Sequence, residues 1–295
     1  MNPDIHALLR EMEQLDYVAD EAIATAAYLA REMRKPLLVE GEAGGGKTEL
    51  AKVMAKLAGT ELIRLQCYEG LDVNTALYEW NYARQMLRAR LAEHDGRSAP
   101  EIEALIFSRE YLLERPLLRA ITRRDGPAVL LIDEIDRADE EFEGYLLELL
   151  AEFQVTIPEL GTVRAKEPPL VILTSNRTRE VHDALKRRCL YQWIEYPTFD
   201  KELAIVRARV PAASARLAEQ ITTLVQSLRR QELYKVPGVS ETIDWVTALV
   251  ALDRQAIDPD AVSQTLGIVL KTKEDLESMR GDKLAGLVSL AVAQA

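Results

Sequence analysis

The period of the apolar positions changes along the chain. Over residues 16–33 they recur at helical spacing, and the pattern stops at Lys35-Pro36, where proline disfavours helix in the residue before it. Leu37-Leu38-Val39 is then a short uninterrupted apolar run. After a glycine-rich stretch, residues 49–58 place Leu50, Val53, Met54 and Leu57 on one helical face, and Gly59 closes that helix. Further apolar runs stand at 61–65, 128–132, 170–173 and 190–194, with helical patterns between them. Strands that are apolar on both faces and alternate with helices predict an α/β fold, with a parallel sheet covered on two sides.

Beyond Tyr196-Pro197 the strand-like runs cease. The remainder reads as helices over 201–209, 214–233, 241–252, 259–270 and from Lys273 to the end, which places a domain boundary at Pro197 and divides the chain into 1–197 and 198–295. Two stretches fit a plain doubly wound fold poorly. Residues 67–120 are mostly helical and aromatic, and 153–169 contain QVTIPELGTVRA, which reads as two short strands about Pro158-Glu159-Leu160-Gly161. Both are expected to be insertions.

With 295 residues, 48% of them hydrophobic, the chain is long enough for one large or two coupled domains, which excludes a peptide scaffold and a disordered segment. The 37 basic and 48 acidic residues leave a net charge of -11. Nucleic acid is therefore a poor partner, since non-specific affinity for a polyanion comes from Lys and Arg displacing counterions. Cys67 and Cys189 lie far apart and outside metal-ligand spacing, as expected for small buried apolar residues in a reducing compartment. No basic segment leads into an apolar stretch at the N-terminus, and no window approaches the roughly 18 apolar residues of a membrane span. A cytoplasmic protein is expected. His6, His94 and His182 lack neighbours at ligand or triad spacing and read as surface residues.

Four segments carry candidate chemistry. Gly41-Glu42-Ala43-Gly44-Gly45-Gly46-Lys47-Thr48 fits G-x-x-x-x-G-K-[ST] at each fixed position. Glycines let the backbone wrap a phosphate, the helix starting at Lys47 adds its positive end, Lys47 neutralises the β- and γ-phosphates, and Thr48 ligates Mg²⁺. Glu49 follows within the same first turn. A flexible linker would lack the buried strand before and the amphipathic helix after. The second segment, AVLLIDEID, ends a strand at Asp133-Glu134, where Asp133 can hold Mg²⁺ through its water and Glu134 can polarise the attacking water. The acidic residues that follow, Asp136, Asp139, Glu140, Glu141 and Glu143, read as solvated carboxylates in the first turn of a helix.

In LVILTSNRT, Asn176 ends another buried strand, where its amide can bridge the attacking water and the γ-phosphate; standing alone it would be a turn former. Fourth, Arg187 and Arg188 precede the last strand, and a guanidinium there could reach the γ-phosphate of a neighbouring subunit or simply end a basic surface patch.

In this order and spacing the four segments resemble the AAA+ ATPases, and the likeness can be followed almost throughout 41–197. LLVEGEAGGGKTELAK, LLIDEIDRA, QVTIPELGTVRA, LVILTSNRT and LKRRCLYQWIEYP look most like the MoxR branch, and within it like the assembly ATPases associated with carbon monoxide dehydrogenase and related molybdenum hydroxylases. The resemblance implies a P-loop NTPase αβα core with a five-stranded parallel sheet, a helix insertion after the second strand, a hairpin before Asn176 and a C-terminal all-α lid. It implies ATP/ADP and Mg²⁺ as ligands, adenine packing near Tyr17 and Val18, and Arg188 in preference to Arg187 as the residue acting in trans. It further implies a hexameric homo-oligomeric ring that hydrolyses ATP to remodel or mature a metalloenzyme, here a molybdenum hydroxylase, with a von Willebrand factor A-domain partner.

Two departures qualify that picture. MoxR relatives carry a lid arginine in a stretch like G-A-S-P-R-A, whereas this chain has Gly238-Val239-Ser240-Glu241-Thr242-Ile243. Slow or partner-dependent hydrolysis follows, and a nucleotide-gated scaffold is one alternative. A small P-loop kinase is another; it needs neither Asn176 nor an arginine in trans and would not form a ring. The second departure is 67–120, where Trp80, Tyr82, Arg84, Arg88 and Arg90 form either a client or pore surface, or a helix buried along Trp80, Ala83, Leu87 and Leu91 with its arginines in solvent.

Overall fold

The computed structural model describes residues 2–294; Met1 and Ala295, the outer ends of the two expected domains, lie outside the described residues. The strands in chain order are β1 (Leu37–Gly41), β2 (Leu62–Gln66), β3 (Tyr78–Trp80), β4 (Leu112–Glu114), β5 (Val129–Asp133), β6 (Gln154–Ile157), β7 (Gly161–Arg164), β8 (Leu170–Ser175) and β9 (Leu190–Ile194). Five of them form one parallel sheet in the order β2-β5-β8-β1-β9. β1 and β5 are buried at every residue, which is why residues 37–39 and 129–132 are each consecutively apolar. β2, at the edge, alternates buried and exposed positions.

Register brings the strand ends level. Glu40 of β1 lies opposite Ser175 of β8, and Gln66 of β2 opposite Asp133 of β5, so polar residues of four strands emerge along one C-terminal edge. Ligands of open parallel sheets bind outside such an edge. β6 and β7 form the antiparallel hairpin expected from QVTIPELGTVRA, with Gln154 opposite Arg164 and Ile157 opposite Gly161.

The chain divides into two compact units, one of Met1–Glu21, Gly41–Lys47 and Ile194–Ala295, the other of Ala22–Glu40 and Thr48–Trp193. In the second, an apolar core joins Leu38, Leu130, Ile132 and Leu173 of the sheet to Phe142 and Leu146 of the helix Glu140–Glu152. The first has its own core among the C-terminal helices, centred on the fully buried Trp245, whose indole N–H donates to Thr265 Oγ1 at 2.8 Å. Among the described residues no strand follows Pro197.

Several helix limits differ from the sequence pattern. Asp16 adopts a left-handed conformation (φ 58°), so the helix expected over 16–33 starts at Glu21, and a separate helix, Pro3–Gln14, precedes it. Asn2-Pro3 is the signal for that first helix, since Asn2 caps Asp4 N at 3.0 Å and proline suits the first turn. The helix expected over 214–233 ends at Leu228, and the last one is split by Gly281 (φ 75°) into Lys273–Ser278 and Asp282–Gln294. The insertion holds the antiparallel pair β3–β4 besides its helices. Three-residue strands are too short to show a period.

Candidate functional site

Glycine is required at the turn out of β1. Gly41 has φ 154°, and a Cβ there would lie 2.3 Å from the Ile194 carbonyl oxygen. Gly44 (φ 75°) and Gly46 (φ 88°) take left-handed backbone, and Gly45 N–H donates to Glu42 O at 3.2 Å. Such a curl turns successive N–H groups into a concave anion nest at the start of the helix Lys47–Leu57. Lys47 is 6% exposed, and its Nζ donates to Gly41 O at 2.8 Å and to Glu42 O at 2.7 Å. Glu42 and Ala43 are exposed at the loop tip. Glu49 pairs with Lys52 at 2.9 Å.

In the same unit, Gly238 at the start of the helix Val239–Ala251 abuts the loop: a Cβ on it would lie 2.6 Å from Ala43 O and 3.0 Å from Gly44 Cα. Glu241 accepts from Gly238 N at 2.9 Å. Thr242 is fully buried and donates to Glu202 Oε1 at 2.6 Å. Arg229 grips both oxygens of Glu202 at 2.6 Å, donates to Pro237 O at 2.7 Å and stacks over Tyr196. No arginine occupies 238–243, and this buried guanidinium is committed to Glu202.

Asp133 is buried at the end of β5. Its Oδ1 accepts from Thr48 Oγ1 at 3.0 Å and Thr174 Oγ1 at 2.5 Å, and its Oδ2 from Arg64 Nη2 at 2.6 Å. Glu134 sits in left-handed backbone (φ 56°, ψ 51°), donates its N–H to Thr174 Oγ1 at 2.9 Å, and pairs with Arg137 Nε at 2.8 Å. A hydroxyl, a carboxylate and a neighbouring glutamate thus meet at the strand ends, although Thr48 and Asp133 stand 85 residues apart.

Asn176 follows β8 directly, and its position is set by a residue that sequence reasoning assigned to solvent. Asp136 is buried; its Oδ1 accepts from Asn176 N at 3.2 Å and its Oδ2 from Thr178 N at 2.9 Å and Thr178 Oγ1 at 2.7 Å. Glu143 is likewise fully buried, accepting from His182 N at 2.7 Å and from Arg179. The expectation of a solvated acidic cluster is corrected for these two: unpaired N–H groups after β8 need acceptors, and buried carboxylates supply them. Asp139 caps the helix through Phe142 N at 2.9 Å, and Glu140 and Glu141 are exposed, as expected. Glu40 was also missed; it is buried and accepts from Ser175 Oγ at 3.1 Å and Tyr191 Oη at 3.0 Å. Its only sequence signal is a carboxylate inside an apolar strand.

Arg188 ends the helix Asp183–Arg188 and donates to Leu147 O; Arg187 and Arg188 are both exposed. Tyr17 is buried, and Val18 lines a cleft of about 340 Å³ with His6, Leu9, Arg10, Glu13 and Ala19. Burial, followed by the charges of Asp133, Asp136, Glu134 and Glu143, pushes the Cys67 thiol up to about 12, and burial alone does the same to Cys189. Neither offers a thiolate at neutral pH. Among the described residues no group of three or more His, Cys, Asp and Glu is placed to hold a metal. Thr48 and Asp133 suit Mg²⁺ instead, which keeps several waters and takes few protein oxygens.

The alternative of a buried insertion helix is corrected. In Tyr82–His94 the buried positions are Gln85 and Ala92, while Leu87 is 61% and Leu91 50% exposed, beside exposed Tyr82 and Met86. Trp80 lies in β3, edge-on to Tyr78 and Phe107. Arg84 pairs with Glu110 at 2.6 Å and lies over the Tyr111 ring. No helix among the described residues is long and apolar enough to cross a membrane.

The family described as AAA domain (dynein-related subfamily) matches residues 36–189. Gas vesicle ATPase GvpN1 of Halobacterium salinarum is 24% identical over 274 residues, covering 89% of this chain and 76% of its own. Gas vesicle ATPase GvpN of Haloferax mediterranei is 26% identical over 231 residues, covering 74% of this chain, which spans 64% of that relative. A solved RuvB mutant of Thermotoga maritima superposes with a TM-score of 0.50 at 15% identity over 92% of this chain and 72% of its own, a likeness of fold.

Proposed function

We propose, on the premise that this chain belongs to the AAA domain family of the dynein-related subfamily, that it binds ATP with Mg²⁺ and hydrolyses it to change the shape of a homo-oligomeric ring. The observation that carries this reading is the Thr48–Asp133 hydrogen bond of 3.0 Å, which ties the start of the loop helix to the carboxylate ending β5. Gly41–Thr48 and the Glu49 backbone would take the triphosphate, with Lys47 leaving the carbonyls of Gly41 and Glu42 to meet its charge. Tyr17 and Val18 would pack against adenine. Thr48 and Asp133 would hold Mg²⁺, which when bound would offset charge on the phosphate oxygens.

Glu134, released from Arg137, orients the water whose oxygen attacks the γ-phosphorus as the bond to the ADP oxygen breaks. Asn176 fixes that water from the other strand end. Arg188 reaches the γ-phosphate of an adjoining copy, and its exposure supports this role. Nucleotide binding at a loop that Gly238 touches would also be felt by the helix that Gly238 starts.

The MoxR resemblance implies a hexameric cytoplasmic ring acting with a von Willebrand factor A-domain protein on a metalloenzyme, a molybdenum hydroxylase. The names of the relatives, gas vesicle ATPases, set a rival client class. A second reading, a nucleotide-gated scaffold with little hydrolysis, draws on the commitment of Arg229 to Glu202. Calorimetry with ATP and Mg²⁺, phosphate release, and sedimentation are the tests. Glu134→Gln should bind ATP and lose nearly all turnover, and the proteins it retains identify the client. Wild type that binds ATP without releasing phosphate leaves the scaffold; no heat with ATP removes both readings.

A further inference from the structure

β2 is an edge strand, so side chains two apart share one face. Arg64 and Gln66 are such a pair, and Gln66 lies opposite Asp133 in the register. The Arg64 side chain therefore runs along the strand towards the carboxylate, where Nη2 meets Asp133 Oδ2 at 2.6 Å and Gln66 Oε1 at 2.5 Å. The two ends of this ion pair differ in exposure. The Asp133 side chain is 3% exposed, whereas that of Arg64 is 52% exposed. With Oδ1 already accepting from two threonine hydroxyls, Oδ2 is the oxygen that a metal-bound water would use. A guanidinium on that oxygen both occupies its lone pair and repels a dication beside it.

We infer that Arg64 competes with Mg²⁺ for Asp133 and so sets the magnesium concentration at which the nucleotide site is completed. The inference rests on the reading that Thr48 and Asp133 hold the metal. Metal entry displaces the guanidinium into the solvent that already bathes half of it, and loss of metal lets it return, so the buried carboxylate always has a counter-charge. Because one end of the pair is solvated, the competition is modest, on the order of fivefold in metal affinity, equivalent to ~1 kcal/mol.

The test uses the full chain and ADP, which avoids turnover. Binding of a fluorescent ADP analogue is titrated with Mg²⁺, and Mn²⁺ bound in the presence of ADP is counted by electron paramagnetic resonance. Arg64→Ala should lower both midpoints about fivefold, leave nucleotide affinity in EDTA unchanged, and be reproduced by Arg64→Gln should the alanine variant fold poorly. Arg64→Lys should fall between, and Arg115→Ala, which breaks an exposed pair with Glu79, should not shift the midpoint. An unshifted or raised midpoint in both Arg64→Ala and Arg64→Gln overturns the inference and leaves the nucleotide reading intact. Wild type that binds neither ADP nor Mn²⁺ overturns both.

Discussion

Replacing Asp136 by alanine removes one buried acceptor group shared by three donors: Asn176 N at 3.2 Å, Thr178 N at 2.9 Å and Thr178 Oγ1 at 2.7 Å. Hydrogen bonds to a charged acceptor contribute about 1.5–3 kcal/mol each, and a part-buried N–H left without a partner costs about 1–3 kcal/mol. The hydroxyl can turn to another acceptor, whereas the two N–H groups cannot, so the expected loss is about 4 kcal/mol. In a unit of this size that lowers the melting temperature on the order of 10 °C. The same change frees the Asn176 backbone, so turnover should fall together with stability. Asn176→Ala should lose turnover while melting near wild type, and Thr178→Val, which deletes only the hydroxyl bond, should cost about 1.5 kcal/mol. The measurements are thermal melts by circular dichroism and phosphate release at a temperature where every variant is folded. An Asp136→Ala protein that melts with the wild type and turns over at its rate would refute the assignment of Asp136 as the residue that positions Asn176.

Further outcomes follow from separate parts of the molecule. Gly41→Ala, whose Cβ would lie 2.3 Å from Ile194 O, should cost about 3 kcal/mol or more and abolish nucleotide binding, whereas Gly59→Ala meets no atom within 4 Å and should cost only about 1 kcal/mol for its left-handed φ; equal melts for the two would contradict this. Glu202→Gln should destabilise by about 3–5 kcal/mol by stranding the buried Arg229, and a Glu202→Met, Arg229→Met double variant should recover most of that in denaturant melts. The thiols of Cys67 and Cys189 titrate near 12 in the fold against 9.0 ordinarily. They therefore favour the folded state fully below pH 9 and lose that contribution as pH rises towards 12, at about 1.4 kcal/mol per thiol per pH unit. The double Cys→Ala variant should have a correspondingly shallower decline over that range, and an identical decline speaks against buried neutral thiols. Leu87→Glu, on the exposed face of the insertion helix, should change the melt by less than about 0.5 kcal/mol. A large loss of stability there would mean that the face is covered.

Much of this protein is written in short stretches of chain. The buried strands carry consecutive apolar residues because both faces of a parallel sheet are covered, and the phosphate loop needs glycine at Gly41, Gly44 and Gly46, where φ is positive, so both can be read from neighbouring residues. The β6–β7 hairpin is equally local, folding about Pro158 and Gly161. What surrounds the chemistry is a different matter. Asp136 reaches Asn176 40 residues later, and Arg64 reaches Asp133 69 residues later, contacts that exist because β2, β5 and β8 lie side by side in the sheet although long stretches of chain separate them. The same holds for the insertion helix, whose Leu87 and Leu91 have core-like identity yet face outward. An acidic or apolar side chain has one identity in sequence but several energetically sound environments. The partner that selects among them is set by strand register and packing, which only the tertiary structure determines.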